Sequence, residues 1–258
     1  MELITLMENT ACRDDLVCEH GLSLYMEAAG LRILFDAGQT AAFADNAERL
    51  GVDLRAVDLC ILSHGHYDHG GGLQRFLAIN DHAPVYLSRH AFGAHYNGTA
   101  KFIGLPEALQ ASSRLVFTGD EAAPAPGLTL HSCNACAFPI IPYGLTVRQN
   151  GTFRPEDFRH EQYLLIEEGG RRILISGCSH KGVVNLARHF RPDVLIGGFH
   201  LMKLDPTDGQ LARTADALLS LPTTYYTGHC TGAEQYAALK SHMGDRLHAL
   251  STGAVFEI

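Results

Sequence analysis

Two segments of the sequence carry the same β-hairpin pattern, and this repeat constrains the fold more than any other feature. Residues 22–38 align with residues 162–178 at a constant offset of 140. In each segment two apolar runs flank a glycine turn, which is typical of a β-hairpin. Six of the 17 aligned positions are identical: Leu24/Leu164, Glu27/Glu167, Gly30/Gly170, Arg32/Arg172, Ile33/Ile173 and Leu34/Leu174. The chain is therefore expected to contain two similar halves, each contributing a hairpin to a sheet.

The same kinds of element are predicted to follow each hairpin. A helical pattern and then a short apolar strand follow the first hairpin, at 39–50 and 57–63, and the second, at 182–190 and 194–197. The remaining predicted elements are a strand at 3–7, helices at 73–79, 210–219 and 233–243, and strands at 223–227 and 254–258. We therefore predict an α/β fold in which two sheets pack face to face with helices outside.

The chain is predicted to form a single domain over residues 1–258. No tract rich in Gly, Ser or Pro separates the two halves, and 258 residues are enough to bury a substantial core. Residues 97–160 have the least regular pattern, so this part is predicted to hold an inserted flap or substrate loop.

Charge and composition argue against several classes of protein. With 20 basic and 28 acidic residues the formal charge is −8, so a nucleic-acid partner is not expected. No stretch approaches the roughly 18–20 apolar residues of a membrane helix, and no basic region with an apolar run opens the sequence, so neither a membrane span nor a secretory signal is expected. Seven cysteines, an odd number, indicate reduced thiols in the cytoplasm. No sequence feature sets an oligomeric state.

Cys133 and Cys136 form a lone CxxC motif. No second pair completes a four-cysteine zinc site, and no basic neighbour activates a thiol. We interpret the two residues as ordinary loop cysteines, with a redox or accessory metal role as the alternative.

Potential metal ligands are concentrated at His64, His66, Asp68 and His69, directly after the apolar strand predicted at 57–63. Neutral imidazole and carboxylate groups are good ligands for zinc, iron and manganese. In an extended or turning loop His64 and His66 point the same way, and Asp68 and His69 lie one turn further on. This spacing supplies two sets of ligands a few ångströms apart, as a two-metal site requires.

The cluster resembles the signature of the metallo-β-lactamase-fold superfamily. The signature His-x-His-x-Asp-His is complete at 64–69, and 34–38, Leu-Phe-Asp-Ala-Gly, resembles the early strand in which a terminal aspartate, here Asp36, supports the metal loop. The resemblance implies an αβ/βα sandwich of two mixed sheets with the metals at one sheet edge.

Five blocks resemble a branch of this superfamily known as dihydropterin–ribofuranosylaminobenzene-phosphate synthase. They are Glu-His-Gly-Leu-Ser at 19–23, Ser-His-Gly-His-Tyr-Asp-His at 63–69, Ser-Gly-Cys-Ser-His at 176–180, Gly-Gly-Phe-His-Leu at 197–201 and Gly-His-Cys-Thr-Gly at 228–232. The five blocks are distributed over most of the chain outside residues 97–160.

The resemblance and the repeat extend the ligand set. His229 ends a predicted strand and matches the family's last metal histidine, and His180 lies two residues after the repeat equivalent of Gly38. His160 is the rival of His180, because members of the superfamily often place a ligand just before this hairpin. Cys178 occupies the position of a bridging aspartate, as a thiolate ligand or as an inert buried thiol. We predict one metal on His64, His66 and His180, and a second on Asp68, His69 and His229.

Other residues in the matched blocks are predicted to line the rim of the site. His20 and His200 are candidates to bind a substrate anion or to move a proton, and Asp68 is a candidate to orient the attacking water. Glu19 is a further candidate for the same site. Lys181 begins a helix and either joins its N-terminus in binding an anion or is an ordinary surface lysine.

The sequence therefore predicts a cytoplasmic metal-dependent hydrolase. One or two divalent transition metals, with zinc expected first and iron or manganese as alternatives, would activate a water molecule. The expected partner is a small-molecule ester or phosphoester, and phosphorylated substrates suit the branch. The alternatives are a metal-dependent synthase or transferase of pterin metabolism and a non-catalytic metal-binding sensor.

Overall fold

The computed structural model describes residues 1–207 and 209–258. In chain order the strands are β1 (Glu2–Met7), β2 (Ser23–Ala28), β3 (Leu31–Phe35), β4 (Leu59–Ile61), β5 (Val85–Ser88), β6 (His95–Asn97), β7 (Lys101–Phe102), β8 (Leu115–Thr118), β9 (Glu121–Ala125), β10 (Leu128–His131), β11 (Leu145–Gln149), β12 (Thr152–Pro155), β13 (Tyr163–Glu168), β14 (Arg171–Ile175), β15 (Val194–Ile196), β16 (Thr224–Thr227), β17 (Leu247–Ala249) and β18 (Val255–Glu257). The α-helices are α1 (Ala42–Arg49), α2 (Tyr67–Gly70), α3 (Leu73–Ile79), α4 (Val183–Phe190), α5 (Gly209–Leu219) and α6 (Ala233–Met243).

Two large mixed sheets form the centre of the fold. The first has the strand order β18-β1-β2-β3-β4-β5-β8, and the second has the order β17-β16-β15-β14-β13-β10-β9. Strands are parallel from β3 to β8 in the first sheet and from β14 to β17 in the second, and the other neighbours in these sheets are antiparallel. The prediction of two mixed sheets is therefore confirmed.

Three apolar cores hold the layers together. The middle core combines side chains of both sheets, such as Phe35 and Ile61 from the first and Leu164 and Ile175 from the second. An outer core packs the first sheet against α1 and α3, and another packs the second sheet against α4, α5 and α6. Because each sheet is covered by helices on the face away from its partner, the architecture is the predicted αβ/βα sandwich.

The sequence repeat corresponds to a structural repeat. In the hairpin β2–β3, Leu24 pairs with Phe35 and Glu27 with Arg32. In β13–β14 the pairs are shifted by 140 residues, with Leu164 opposite Ile175 and Glu167 opposite Arg172. Each hairpin is followed by a helix, α1 or α4, and by a parallel strand, β4 or β15.

The region 97–160 contributes to three sheets. Strand β8 forms one edge of the first sheet, and β9 and β10 form one edge of the second. Strands β11 and β12 build a four-stranded antiparallel sheet with β6 and β7, in the order β12-β11-β6-β7. The middle of this region is therefore part of the sandwich, while its ends form a separate small sheet.

The chain topology brings several strand ends to one edge of the sandwich. Strands β1, β3 and β4 end there in the first sheet, and β14 and β16 end there in the second. The residues that directly follow these strands include the predicted ligand positions. Within the described residues, no helix has both the length and the apolar character needed to cross a lipid bilayer.

Candidate metal centre

The signature residues lie in a tight turn after β4. His66 has extended backbone angles and precedes α2, the short helix that carries Asp68 and His69. Gly65 lies between the two histidines, and a Cβ atom there would lie 1.9 Å from the backbone oxygen of Ala91. Only glycine fits this approach, so the close packing of the turn against Ala91 fixes the path of the ligand loop.

The first group of candidate ligands contains His64, His66 and His180, as predicted. One ring nitrogen from each lies within 4.8 Å of the others, and the Nε2 atoms of His64 and His180 are 3.3 Å apart. Burial lowers the pKa of all three imidazoles well below the ordinary value, so they are neutral at pH 7 and have lone pairs available. His66 Nε2 is buried and has no hydrogen-bond partner among the described residues.

A chain of hydrogen bonds sets the tautomer of His64. The Ser63 hydroxyl donates its proton to Asp36 Oδ2 over 2.7 Å, so its oxygen acts as an acceptor toward His64 Nδ1, 2.8 Å away. His64 therefore carries its proton on Nδ1 and presents a bare Nε2 to the site.

The second group contains Asp68, His69 and His229. His69 Nδ1 donates to Asp36 Oδ2 over 2.7 Å, and His229 Nδ1 donates to Asn9 Oδ1 over 3.0 Å. When both rings are neutral, each presents a bare Nε2 atom, and these two atoms lie 3.1 Å apart. Asp68 Oδ2 adds a third acceptor, 3.4 Å from His229 Nε2 and 3.9 Å from His69 Nε2.

The acceptor atoms of the second group would be stabilised by a cation between them. Three acceptors converge in a buried place, and the protons of both imidazoles are already used on the far side of each ring. Lone pairs at such distances repel one another unless a positive charge lies among them, either a proton on His69 in the metal-free protein below about pH 9 or a bound metal ion. Imidazole nitrogens and a carboxylate are the donor set that a divalent transition metal prefers, so the residues fit a metal at this position.

Cys178 lies between the two groups. Its Sγ atom is 3.2 Å from His69 Nε2, and the ligand atoms of His64, His69 and Cys178 lie within 4.8 Å of one another. Burial raises the pKa of this thiol well above the ordinary value, so it is protonated in the metal-free protein. Cys178 therefore lies near candidate ligands of both groups.

His160 lies close to this centre, but its geometry does not suit a ligand. The backbone N–H of Gly65 donates to His160 Nδ1 over 2.8 Å, which uses the one lone pair of a neutral imidazole. The ring stacks on His95 with centroids 3.9 Å apart, and His95 Nδ1 donates to Glu156 Oε2 over 2.8 Å. His160 thus supports the backbone of the ligand loop, and the geometry favours His180 as the third ligand of the first group.

The two predicted rim histidines lie beside the ligands. His20 Nε2 is 3.3 Å from Asp68 Oδ2, and this hydrogen bond raises the pKa of His20 although partial burial opposes it. The His200 ring lies 4.3 Å from that of His180, and both its nitrogens are buried without a hydrogen-bond partner in the described part of the chain. Both side chains line the cleft in front of the candidate metal positions.

Glu19 and Lys181 have other roles than those predicted. Glu19 accepts hydrogen bonds from the backbone of Gln39 and Thr40, so its carboxylate holds a loop. The interpretation of Lys181 as a surface residue is wrong, because the residue is 2% exposed. Its ammonium group donates to Ser132 O, Asn134 Oδ1 and Glu161 O, which satisfies its three protons and leaves none for an external anion.

Two supporting residues lie outside every sequence motif. Asn9 orients His229 through Nδ1, and Glu8 accepts the backbone N–H of His229. Both follow β1, which lies next to β2 in the first sheet, whereas His229 follows β16 in the second. Their position just after a buried strand is the one sequence feature that could have indicated a role at the site. Their contacts with His229 depend on how the two sheets pack, which the sequence does not reveal.

A cleft of about 190 Å³ opens over the candidate metal positions. His66, Asp68, Cys178 and His180 line its floor. The amino groups of Lys101 and Lys203 lie at its walls, where they donate to Tyr67 Oη over 3.0 Å and to Tyr143 O over 2.6 Å. In a chain of charge −8, two lysines at one cleft create a local preference for anions.

We expect metal titration of the metal-free protein to show separate steps for the two groups. The two groups differ in donor set, because the first consists of neutral imidazoles and the second includes a carboxylate. The protonated Cys178 between them supplies no negative charge that both metals could share, so their affinities should differ. Cys178→Asp adds a hard, charged oxygen at the shared position and should bring the two affinities closer together. Titration calorimetry measures both constants, and one cooperative two-metal step in the unmodified protein would contradict this assignment.

Metal binding to the second group should depend on pH. Burial lowers the pKa of His69, but the carboxylates of Asp36 and Asp68 outweigh this effect and raise the pKa to about 9. Below that pH the metal must displace a proton from His69, so affinity should fall about tenfold for each unit of decreasing pH. The neutral first group should change little between pH 7 and 9. Calorimetry in buffers of different ionisation enthalpy counts the released proton, and equal pH dependence at both positions would contradict this expectation.

The known proteins that this chain resembles are consistent with the observed architecture. The model of the metallo-beta-lactamase superfamily matches residues 17–163. An uncharacterized protein of Methanocaldococcus jannaschii is 30% identical over 238 residues, which cover 88% of this chain and 89% of the relative. From the same organism, 7,8-dihydropterin-6-methyl-4-(beta-D-ribofuranosyl)-aminobenzene-5'-phosphate synthase is 29% identical over 271 aligned positions, covering 93% of this chain and 90% of the relative.

A solved structure extends the likeness to the whole chain. It is Tm1679, described as a metal-dependent hydrolase of the beta-lactamase superfamily, with a TM-score of 0.83 and 26% sequence identity. The match covers 100% of this chain and 99% of that one. The fold implies divalent metal binding, in agreement with the two histidine-rich groups. The chain belongs to the metallo-beta-lactamase superfamily.

Proposed function

We propose that the protein is a hydrolase that binds two divalent transition metals, with zinc expected first, and uses activated water on a small-molecule substrate. The observation that carries the proposal is the convergence of His69 Nε2 and His229 Nε2, 3.1 Å apart, on Asp68, next to a second group of neutral histidines. Metals bound there would lower the pKa of a coordinated water toward neutrality and polarise a carbonyl or phosphoryl oxygen.

Asp68 is the residue best placed to handle the proton of the attacking water. Its carboxylate lines the floor of the cleft, and interactions with His69, His20 and His229 lower its pKa well below the ordinary value although burial opposes them. His20 contacts the same Oδ2 atom over 3.3 Å, and 41% of its side chain is exposed to solvent. Asp68 therefore stays ionised and accepts a hydrogen bond from the attacking water, and its contact with His20 gives a released proton a short route to solvent.

The walls of the cleft favour an anionic substrate. Lys101 and Lys203 lie at its walls, and His200, whose two ring nitrogens have no hydrogen-bond partner among the described residues, lines the cleft next to His180. A phosphoester would place its reacting phosphoryl group on the floor and a second anionic group near the lysines. The name of the relative from Methanocaldococcus jannaschii also refers to a phosphorylated compound.

We expect Lys101→Ala to raise KM for a phosphorylated substrate about tenfold while kcat changes little, because the lysine binds a remote anionic group. Arg171→Ala is the matched control. It also removes one exposed positive charge, but it lies at the start of β14, the end of that strand away from the cleft. Steady-state kinetics measure both constants, and equal effects of the two variants would show that only the overall charge matters.

A substrate panel with metal-free and metal-loaded protein tests the proposed function. The panel contains phosphomonoesters, phosphodiesters, thioesters and lactones. We expect hydrolysis of at least one phosphoester by the metal-loaded protein and none by the metal-free protein. Failure of all classes, with metal bound at both positions, would contradict the hydrolase proposal.

The second candidate is a synthase or transferase of pterin metabolism. It is favoured by the 29% identity to the named synthase over 93% of this chain. The test is incubation of the metal-loaded protein with a ribofuranosyl-aminobenzene phosphate and a dihydropterin that carries a leaving group, such as a diphosphate ester, on its 6-methyl carbon, followed by mass spectrometry. A condensation product would favour the synthase, and its absence together with phosphoester hydrolysis would favour the hydrolase.

A further inference from the structure

We propose that Cys133, Cys136 and His189 form a separate site for one zinc ion, outside the catalytic centre. The two cysteines lie in the loop after β10, and His189 lies in the last turn of α4. Nothing in the mechanism proposed above uses these residues, and none of them lines the cleft in front of the candidate metal positions.

The geometry of the three side chains suits a single ion. One ligand atom from each residue lies within 4.8 Å of the other two. In a tetrahedral zinc site the ligand atoms are about 3.3–3.8 Å apart, given Zn–S and Zn–N lengths of about 2.3 and 2.0 Å. The loop is a turn in which the Cys136 N–H donates to Cys133 O over 3.1 Å, so both thiols belong to one turn. Small side-chain rotations are enough to bring all three atoms onto one metal.

The loop is held in place before any metal binds. The buried amino group of Lys181 donates to Ser132 O over 2.6 Å and to Asn134 Oδ1 over 3.0 Å. Cys133 also packs against the apolar core of the second sheet. Because the loop backbone is already ordered, metal binding costs little conformational entropy there.

The third ligand is available and accessible. The ring of His189 is exposed and packs edge-on against Phe138 and Phe190, and no other described residue hydrogen-bonds it. Two thiolates and one imidazole form a softer donor set than the histidines and carboxylate of the catalytic centre, and this set selects zinc over manganese. Each cysteine would lose its thiol proton to solvent on binding, and water would complete the fourth position.

A metal at this site would connect two elements that surround the catalytic centre. It would tie the loop after β10 to α4, and the same loop contacts Lys181, the neighbour of the candidate ligand His180. The backbone N–H groups of His180 and Lys181 both donate to Glu161, over 2.8 and 3.1 Å. The proposed ion is therefore a structural brace beside the catalytic centre, and the proposal does not depend on which reaction that centre catalyses.

The double variant Cys133→Ser/Cys136→Ser tests the proposal, with His189→Ala as a second variant that keeps both thiols. Protein purified with a reductant is loaded with zinc, and its metal content is measured by elemental analysis. The same proteins are loaded with cobalt, whose thiolate charge-transfer absorption reports sulfur ligands directly. Cys18→Ser is the control, because this thiol is exposed and does not belong to the group.

We expect the double variant to lose about one zinc per chain and most of the cobalt–thiolate absorption. His189→Ala should weaken zinc binding at this site, Cys18→Ser should change neither signal, and Cys178→Ser should retain the absorption of the CxxC pair. Unchanged zinc content in the double variant would overturn the proposal. A disulfide between Cys133 and Cys136 in the reductant-purified protein, detected by thiol alkylation and mass spectrometry, would also overturn it.

Discussion

Replacing His66 by alanine is expected to remove hydrolytic activity and bound metal together. His66 is buried, is neutral at pH 7, and offers an unpartnered Nε2 to the first group of ligands. Changes to residues that only support a metal ligand typically cost 10–100-fold in affinity or activity, so loss of the ligand itself should exceed about 100-fold. Elemental analysis and steady-state kinetics on the same preparation measure both effects.

His82→Ala is the matched control for this variant. His82 is also a histidine, but its exposed ring hydrogen-bonds Asp81, which does not belong to either group of candidate ligands. We expect full metal content and full activity in this variant. Equal losses in the two variants would indicate general instability rather than loss of a ligand, and retention of metal by His66→Ala would remove His66 from the site.

Asp36→Asn is expected to weaken metal binding at the second position by about 10–100-fold, although Asp36 touches no metal. The carboxylate is fully buried and accepts three hydrogen bonds of 2.7 Å each, from Ser63 N, Ser63 Oγ and His69 Nδ1. An amide has only one acceptor oxygen, so the variant loses part of the network that keeps the protons of His64 and His69 away from the metal positions. Calorimetric titration of metal into the variant measures the loss.

The control for Asp36→Asn is Asp81→Asn, whose carboxylate is 99% exposed. This change also removes one negative charge, so it distinguishes the loss of the Asp36 hydrogen bonds from an effect of the protein's overall charge. We expect its metal affinity to equal that of the unmodified protein. The account of Asp36 fails if its variant binds the second metal with unchanged affinity.

The parts of the fold that could be predicted from sequence are those with local, periodic signals. The two hairpins, the helices that follow them and the parallel strands β4, β15 and β16 all appear close to their predicted positions. The helices have an amphipathic period because only one face of each is buried, and β4 and β15 are continuously apolar because both of their faces are buried. The cluster of potential ligands at 64–69 is evident from the sequence because its residues are adjacent in the chain.

The parts that could not be predicted depend on contacts between distant segments. Strand β8 forms the edge of the first sheet and has exposed apolar residues, so its apolar and polar residues do not alternate clearly. Strand β17 has only three residues, which is too short to show such a pattern. Asn9 acts on His229 across 220 residues, and a lone asparagine in a loop has no recognisable pattern. The burial of Lys181 is not evident from the sequence, because lysine is rarely buried and this lysine is held by oxygen acceptors in the loop after β10.

The central claim is that two metals lie side by side on the edge where the strands of both sheets end. Anomalous diffraction at the zinc absorption edge, from crystals of the zinc-loaded protein, tests this claim most directly. We expect two adjacent peaks at this edge, one bounded by His64, His66 and His180 and the other by Asp68, His69 and His229, in addition to the separate peak proposed at Cys133, Cys136 and His189. Absence of both peaks, or a single peak coordinated by His160 in place of His180, would contradict it.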